Sequence, residues 1–169
     1  MRHFSVRRAA AVTFLAAATL APLVGPAGAA STVQSFQVRI NIGLACTVSA
    51  TTLDFGISGV LAAAIDVASS LTVTCGNGTP YKVALSQGAG IGATPDNRLM
   101  TGPGGSTVRY SLYQNSARSV RWADVFDSDL VFATGTGLAQ AFPVYGRVFQ
   151  QATPGPGAYA DNITVTVTY

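Results

Sequence analysis

The chain has no glutamate, and its one histidine, His3, lies in the first few residues. Cysteine is limited to Cys46 and Cys75, and there is one tryptophan, Trp122. Without a histidine beyond residue 3, a Ser-His-Asp arrangement cannot be assembled in the body of the chain. General acid–base work would fall to aspartate, lysine or tyrosine, and nothing in their spacing suggests a tuned pair. Two thiols alone do not complete a structural zinc site. The expectation is therefore a protein without an enzymatic role and without a cofactor.

The first eight residues carry Arg2, Arg7 and Arg8, and an uncharged run of about 16 residues follows from Ala9 to Val24, short of the roughly 20 needed to span a bilayer. Pro22, Gly25 and Pro26 interrupt it, and Ala27-Gly28-Ala29 gives the small-x-small pattern of a cleavage site. Residues 1–30 thus read as a signal peptide, with the cut after Ala29 or Ala30. Membrane contact is expected only through this removed segment, and the protein is expected outside the cytoplasm. Three of the ten basic residues leave with it. The remaining seven, Lys82, Arg39, Arg98, Arg109, Arg118, Arg121 and Arg147, balance seven aspartates. A mature net charge of zero leaves no basic stripe for nucleic acid or an anionic surface. A cut after Ala30 leaves 139 residues, enough for one domain. In an oxidising compartment Cys46 and Cys75 are expected to pair.

No helical period is sustained beyond the leader. Apolar and polar residues alternate in short runs: Phe36 to Ile42, Cys46 to Val48, Leu71 to Cys75, Tyr81 to Leu85, Val108 to Leu112, Val144 with Val148, and Ile163 to Tyr169. A period of two, rich in β-branched and aromatic residues, predicts strands with one buried face. The intervening segments, such as Ser86–Arg98, Thr101–Thr107 and Gln151–Tyr159, are rich in Gly, Pro, Asn and Ser and read as loops. Thr52–Gly56 (TLDFG) reads as a turn. Seven or eight strands at this spacing predict an all-β sandwich without a second domain.

The stretch Ser31–Leu44 is the most informative. Phe36, Val38, Ile40 and Ile42 share one face, yet Leu44 and Ala45 provide no hairpin turn into the strand that starts at Cys46. Two outcomes follow: an edge strand paired within its own domain by a longer route, or a strand added to another molecule's sheet.

The order and spacing of several segments resemble the spore coat protein U (SCPU) domain family, which includes the major subunits of archaic chaperone–usher pili. The resemblance runs from about Phe36 to Tyr169. It rests on CTVSA (Cys46–Ala50), LDFG (Leu53–Gly56), LTVTC (Leu71–Cys75), TPYKVALSQG (Thr79–Gly88), RLM (Arg98–Met100) and RYSLYQNSAR (Arg109–Arg118). VYGRV (Val144–Val148) and the ending YADNITVTVTY (Tyr159–Tyr169) complete it.

The resemblance implies an incomplete immunoglobulin-like β-sandwich with an N-terminal donor strand over residues 31–45 and a body over 46–169. A periplasmic chaperone would fill the gap in transit, and the next subunit's donor strand would replace it at the outer-membrane usher. Carried over, Phe36, Val38, Ile40 and Ile42 are the donor residues. Cys46 and Cys75 form the family's disulfide. The strand Asn162–Tyr169, with Ile163, Val165, Val167 and Tyr169, lines the groove and meets the chaperone. The implied role is a fibre subunit at the cell surface with its own kind as partners, serving adhesion or biofilm formation. The alternatives are a spore or cell coat protein of the same fold, and an adhesin contacting surfaces through loops near Ile91 or Phe126.

Asp124, Asp127 and Asp129 cluster in WADVFDSDL, but their spacing does not fit a calcium loop, so they read as a solvated loop beside a buried Trp122. Asn77-Gly78-Thr79 and Asn162-Ile163-Thr164 match the glycosylation pattern by coincidence, Asn162 being the expected start of a core strand. Arg109 and Arg147 are expected to point outwards.

Overall fold

A computed structural model describes residues 28–169, so most of the expected signal peptide lies outside the described residues. The chain divides after Ile40 into two units, and the second, Asn41–Tyr169, holds all the strands among the described residues. They are β1 (Cys46–Ala50), β2 (Ile65–Cys75), β3 (Pro80–Leu85), β4 (Arg98–Thr101), β5 (Thr107–Tyr113), β6 (Val131–Thr134), β7 (Ala139–Val148) and β8 (Val165–Thr168). They form a five-stranded sheet in the order β1-β2-β7-β5-β4 and a three-stranded sheet in the order β6-β3-β8. All strand pairs are antiparallel. This is the expected all-β, immunoglobulin-like sandwich.

The core follows from the alternation. Leu71, Val73 and Cys75 of β2, Tyr81, Val83 and Leu85 of β3, and Val108, Tyr110 and Leu112 of β5 all turn inwards and are buried. Val144 and Val148 of β7 join them, as does Trp122, whose indole N–H donates to the Val83 carbonyl at 3.0 Å. Two interleaved inner faces exclude water from one layer, as in sandwiches generally. Cys46 and Cys75 are directly opposite in the β1–β2 ladder and are joined by a disulfide that ties the first body strand to the second.

Several expectations need correction. The alternating segment Phe36–Ile42 forms no strand in the single chain, because a strand exists only with a ladder partner. Two short strands, β4 and β6, escaped the sequence pattern. The C-terminal strand begins at Val165, not Asn162, and Asn162 is exposed. The acidic cluster is not uniformly solvated: Asp129 is buried and accepts a 2.8 Å bond from Arg121, whereas Asp124 and Asp127 are exposed. Arg109 is exposed as expected, and Arg147 lies half-buried in an ion pair with Asp66, its cross-strand partner.

Candidate functional site

The two sheets do not close on one side. Between them lies a cavity of about 490 Å³ whose walls are the segments Thr51–Phe55 and Tyr159–Val165. Its floor is apolar, with Leu71, Leu85, Leu112 and Val144. The first wall continues β1. Thr51 N–H donates to the Ser70 carbonyl at 2.9 Å, and the Ser69 hydroxyl donates to the Thr51 carbonyl at 2.7 Å. Beyond that point the chain remains extended, so Leu53 and Phe55 turn inwards while Asp54 turns to solvent.

Leu53 and Phe55 fit because β7 has glycine beneath them. A Cβ on Gly146 would lie 2.8 Å from Leu53 Cδ2 and 2.9 Å from Phe55 Cζ. The turn expected over TLDFG is confined to its end, where Gly56 takes a φ of 74° and its N–H donates to Asp54 Oδ1 at 2.8 Å.

Asp161 organises the second wall. Its carboxylate accepts the Tyr110 hydroxyl at 2.7 Å, the Ala89 N–H at 2.7 Å and its neighbour Asn162 N–H at 2.8 Å. Gly88, at φ 92°, leaves room for it, since any Cβ there would collide with the carboxylate. Burial, reinforced by the hydrogen bond to Asp161, pushes the Tyr110 phenol well above its ordinary range. It stays protonated and donating. These bonds tie the segment that leads into β8 to β5 and to the loop at Ala89.

Among the described residues β8 is an edge strand, paired only with β3. Ser86 N–H donates to the Thr164 carbonyl at 3.0 Å, and Leu85 faces Val165 in the same register. Backbone groups along a strand alternate from side to side. Thr164, Thr166 and Thr168 therefore direct theirs to β3, whereas Ile163, Val165 and Val167 direct theirs to the open edge. The side chains of those three residues are half-buried and packed against the core. One set of residues thus offers an apolar surface inwards and an unfilled hydrogen-bonding ladder sideways.

Of the expected groove residues, Ile163 and Val165 line the cavity, and Val167 continues the same inner face. Tyr169 follows the last ladder pair, Lys82–Thr168, and is 56% exposed. The expected donor residues Phe36, Val38, Ile40 and Ile42 are 81–88% exposed. Sequence reasoning placed Tyr110 on a strand but missed its bond to Asp161, and it missed Asp161 and Arg98 altogether. Arg98 is 0% exposed and donates to the carbonyls of Ser86, Pro95, Leu85 and Trp122 at 2.8–3.2 Å. Burial lowers its pKa from the ordinary guanidinium value. Among the described residues no ion pair compensates it. A hydrophilic residue opening a short strand gave no signal of this.

Comparison with known proteins is consistent with this architecture. The sequence model of the Spore Coat Protein U domain matches residues 32–166. "Protein U" of Myxococcus xanthus is 27% identical over 174 residues, covering 94% of this chain and 97% of that protein. A similar solved chain occurs in the CsuC–CsuE chaperone–tip adhesion subunit pre-assembly complex from archaic chaperone–usher Csu pili of Acinetobacter baumannii. It matches with a TM-score of 0.56 and 22% identity, over 76% of this chain and 40% of that one. That likeness concerns the fold.

Proposed function

Since the chain belongs to the Spore Coat Protein U domain family, we propose that it is a structural subunit of a bacterial surface fibre of the chaperone–usher type, polymerising by donor-strand exchange. One observation carries the reading. The open β8 edge borders an apolar groove, and the same chain carries an exposed, alternating apolar segment with no strand partner among the described residues. Strand addition uses the backbone ladder for affinity and alternate side chains for pockets. Burying Phe36, Val38, Ile40 and Ile42 contributes on the order of 6–12 kcal/mol before ordering costs.

In this reading residues 1–30 are the signal peptide, 31–45 the donor strand, and 46–169 the receiving body. Export delivers the chain to the periplasm, where a chaperone covers the groove and the β8 edge, with Ile163, Val165, Val167 and Tyr169 along its contact. At the outer-membrane usher the next subunit's donor strand replaces it, and the polymer stands on the cell surface in adhesion or biofilm formation. The similar fold found in a chaperone–subunit pre-assembly complex supports this choice of partners. The role is one of assembly, and the two cysteines are held in the disulfide.

Deleting Ser31–Ile42 is expected to leave a domain that still forms a complex with its chaperone but cannot join a fibre through a donor strand. Normal polymerisation of this truncation, seen by electron microscopy and in detergent-resistant ladders, sinks the proposal. The family name favours a second reading in which the same exchange builds a cell or spore coat. An adhesin role through exposed Ile91 and Phe126 predicts antibody label at fibre ends, whereas a shaft subunit is labelled along the length.

A further inference from the structure

The charges of the body cancel almost completely, and the exceptions are informative. Arg118 and Arg147 pair with Asp66, and Arg121 pairs with Asp96 and Asp129. Arg98 is satisfied by carbonyls, and Arg109 stacks on Phe149 at 4.7 Å. Asp161 is occupied by Tyr110 and two backbone N–H groups. Among the described residues, Arg39 and Lys82 remain on the basic side, and Asp54, Asp124 and Asp127 on the acidic side.

Two of these five are placed to meet. Arg39 lies between Val38 and Ile40, so it faces outwards when they face a groove, and it is the only charge in Ser31–Leu44. Asp54 lies between Leu53 and Phe55, which turn into the groove, so it also faces outwards. Its Oδ1 accepts the Gly56 N–H, and Oδ2 has no hydrogen-bond partner among the described residues. Asp124 and Asp127 belong to the β5–β6 connection, and none of Lys82, Asp124 and Asp127 lines the groove.

We propose that Arg39 of an incoming copy of this chain pairs with Asp54 on the groove wall, and that this outer-face pair sets the register in which the donor strand enters. The inference rests on the donor-strand reading above. The alternation of Phe36, Val38, Ile40 and Ile42 fits the groove at several positions two residues apart, because any even slip keeps apolar side chains inwards. A single charge on each strand breaks that degeneracy. Lateral neighbours on one face of a sheet interact in this way, and like charges there are unfavourable.

The test is a charge-swap cycle on the full exported chain, probed with a labelled synthetic peptide of residues 31–44 and read by anisotropy as association rate and affinity. The four combinations use Asp54 or Asp54→Arg in the chain and Arg39 or Arg39→Asp in the peptide. Each single swap is expected to weaken binding about three- to tenfold, and the double swap to restore it to within about twofold. The differences should collapse near ~1 M salt, where the screening length is about 3 Å. Equal binding in all four combinations overturns the pairing, as does failure of the double swap to restore binding. A control peptide with Phe36→Asp separates the two levels. If it binds as tightly as the native peptide, or if no peptide binds, the donor-strand reading itself fails. If it alone loses binding while the swaps are silent, only the Arg39–Asp54 pair is wrong. Thermal melting of Asp54→Arg confirms that the exposed site leaves the fold intact.

Discussion

Replacing Arg98 tests how the two sheets are held together at the start of β4. Its Nε donates to the Ser86 carbonyl at 2.9 Å, Nη1 to Pro95 at 3.2 Å, and Nη2 to Leu85 at 3.2 Å and Trp122 at 2.8 Å. One side chain of the five-stranded sheet thus ties the end of β3 in the other sheet to the segment that positions Trp122. Four bonds to a cation are worth about 1.5–3 kcal/mol each, or roughly 6–12 kcal/mol in gross terms. Removing the guanidinium from water costs several kcal/mol of this. Methionine fills much of the volume but donates to none of the four carbonyls, so Arg98→Met is expected to lose about 3–5 kcal/mol. Arg98→Lys, whose compact ammonium cannot fork to all four acceptors, is expected to lose about 2–3 kcal/mol. For a domain of this size each kcal/mol moves Tm by about 3–4 °C, so the methionine variant should melt roughly 10–20 °C lower. Urea denaturation of the oxidised protein, followed by Trp122 fluorescence, measures both. A loss under about 1 kcal/mol for Arg98→Met would refute the argument, because it would mean that these carbonyls do not depend on the guanidinium.

The disulfide closes a loop with a sequence separation of 29, which corresponds to about 3–4 kcal/mol of stabilisation in the chain-entropy model. The double replacement Cys46→Ser/Cys75→Ser should lower stability by that amount in the same urea assay, and an unchanged midpoint would contradict it. A pH effect follows from Asp66. The bidentate Arg147 fork, with both contacts at 2.7 Å, and the Arg118 guanidinium beside it hold its carboxyl below the ordinary range. A carboxyl whose folded value is depressed contributes stability above its unfolded value, near pH 4, and loses it as pH falls through the folded value. The Tm difference between wild type and Asp66→Asn should thus be present at pH 7 and shrink to nothing towards pH 2. A difference that grows on acidification has the wrong sign.

The period of two made the core strands legible, since Leu71, Val73, Tyr81, Val83, Leu85, Val108, Tyr110 and Leu112 are buried where the alternation puts them. It failed for RLMT and VFAT, where four residues give too few alternations to outweigh the flanking loops. Arg98, Asp129 and Asp161 were illegible for a different reason. Arg98 and Asp161 are anchored by partners outside their local segments, Arg98 by Leu85 and Trp122 and Asp161 by Ala89 and Tyr110, while Asp129 is anchored by Arg121 across a loop whose path the local sequence does not encode. Local composition records neither the convergence of carbonyls nor the gap that Gly88 leaves. TLDFG was misread because Leu53 and Phe55 obey the strand period, while Gly56 announces a turn only at the end.

The groove also shows why folding and assembly are hard to separate by mutation. In β8 and the residues leading into it, those that turn apolar side chains into the core, Ile163, Val165 and Val167, are the ones whose backbone groups face the open edge. The pleat imposes this coincidence: side chains alternate between faces with the same period as backbone groups alternate between edges. A polar substitution at Val165 therefore weakens the core and the proposed docking edge together, and loss of assembly would not tell the two apart. Outward positions beside the groove are free of that coupling. Asp54 is exposed and Arg39 precedes the body, so changing their charge leaves the inner faces intact while altering what a second chain meets. The informative mutations for assembly are consequently the charged residues on the outer face, where core burial has no claim.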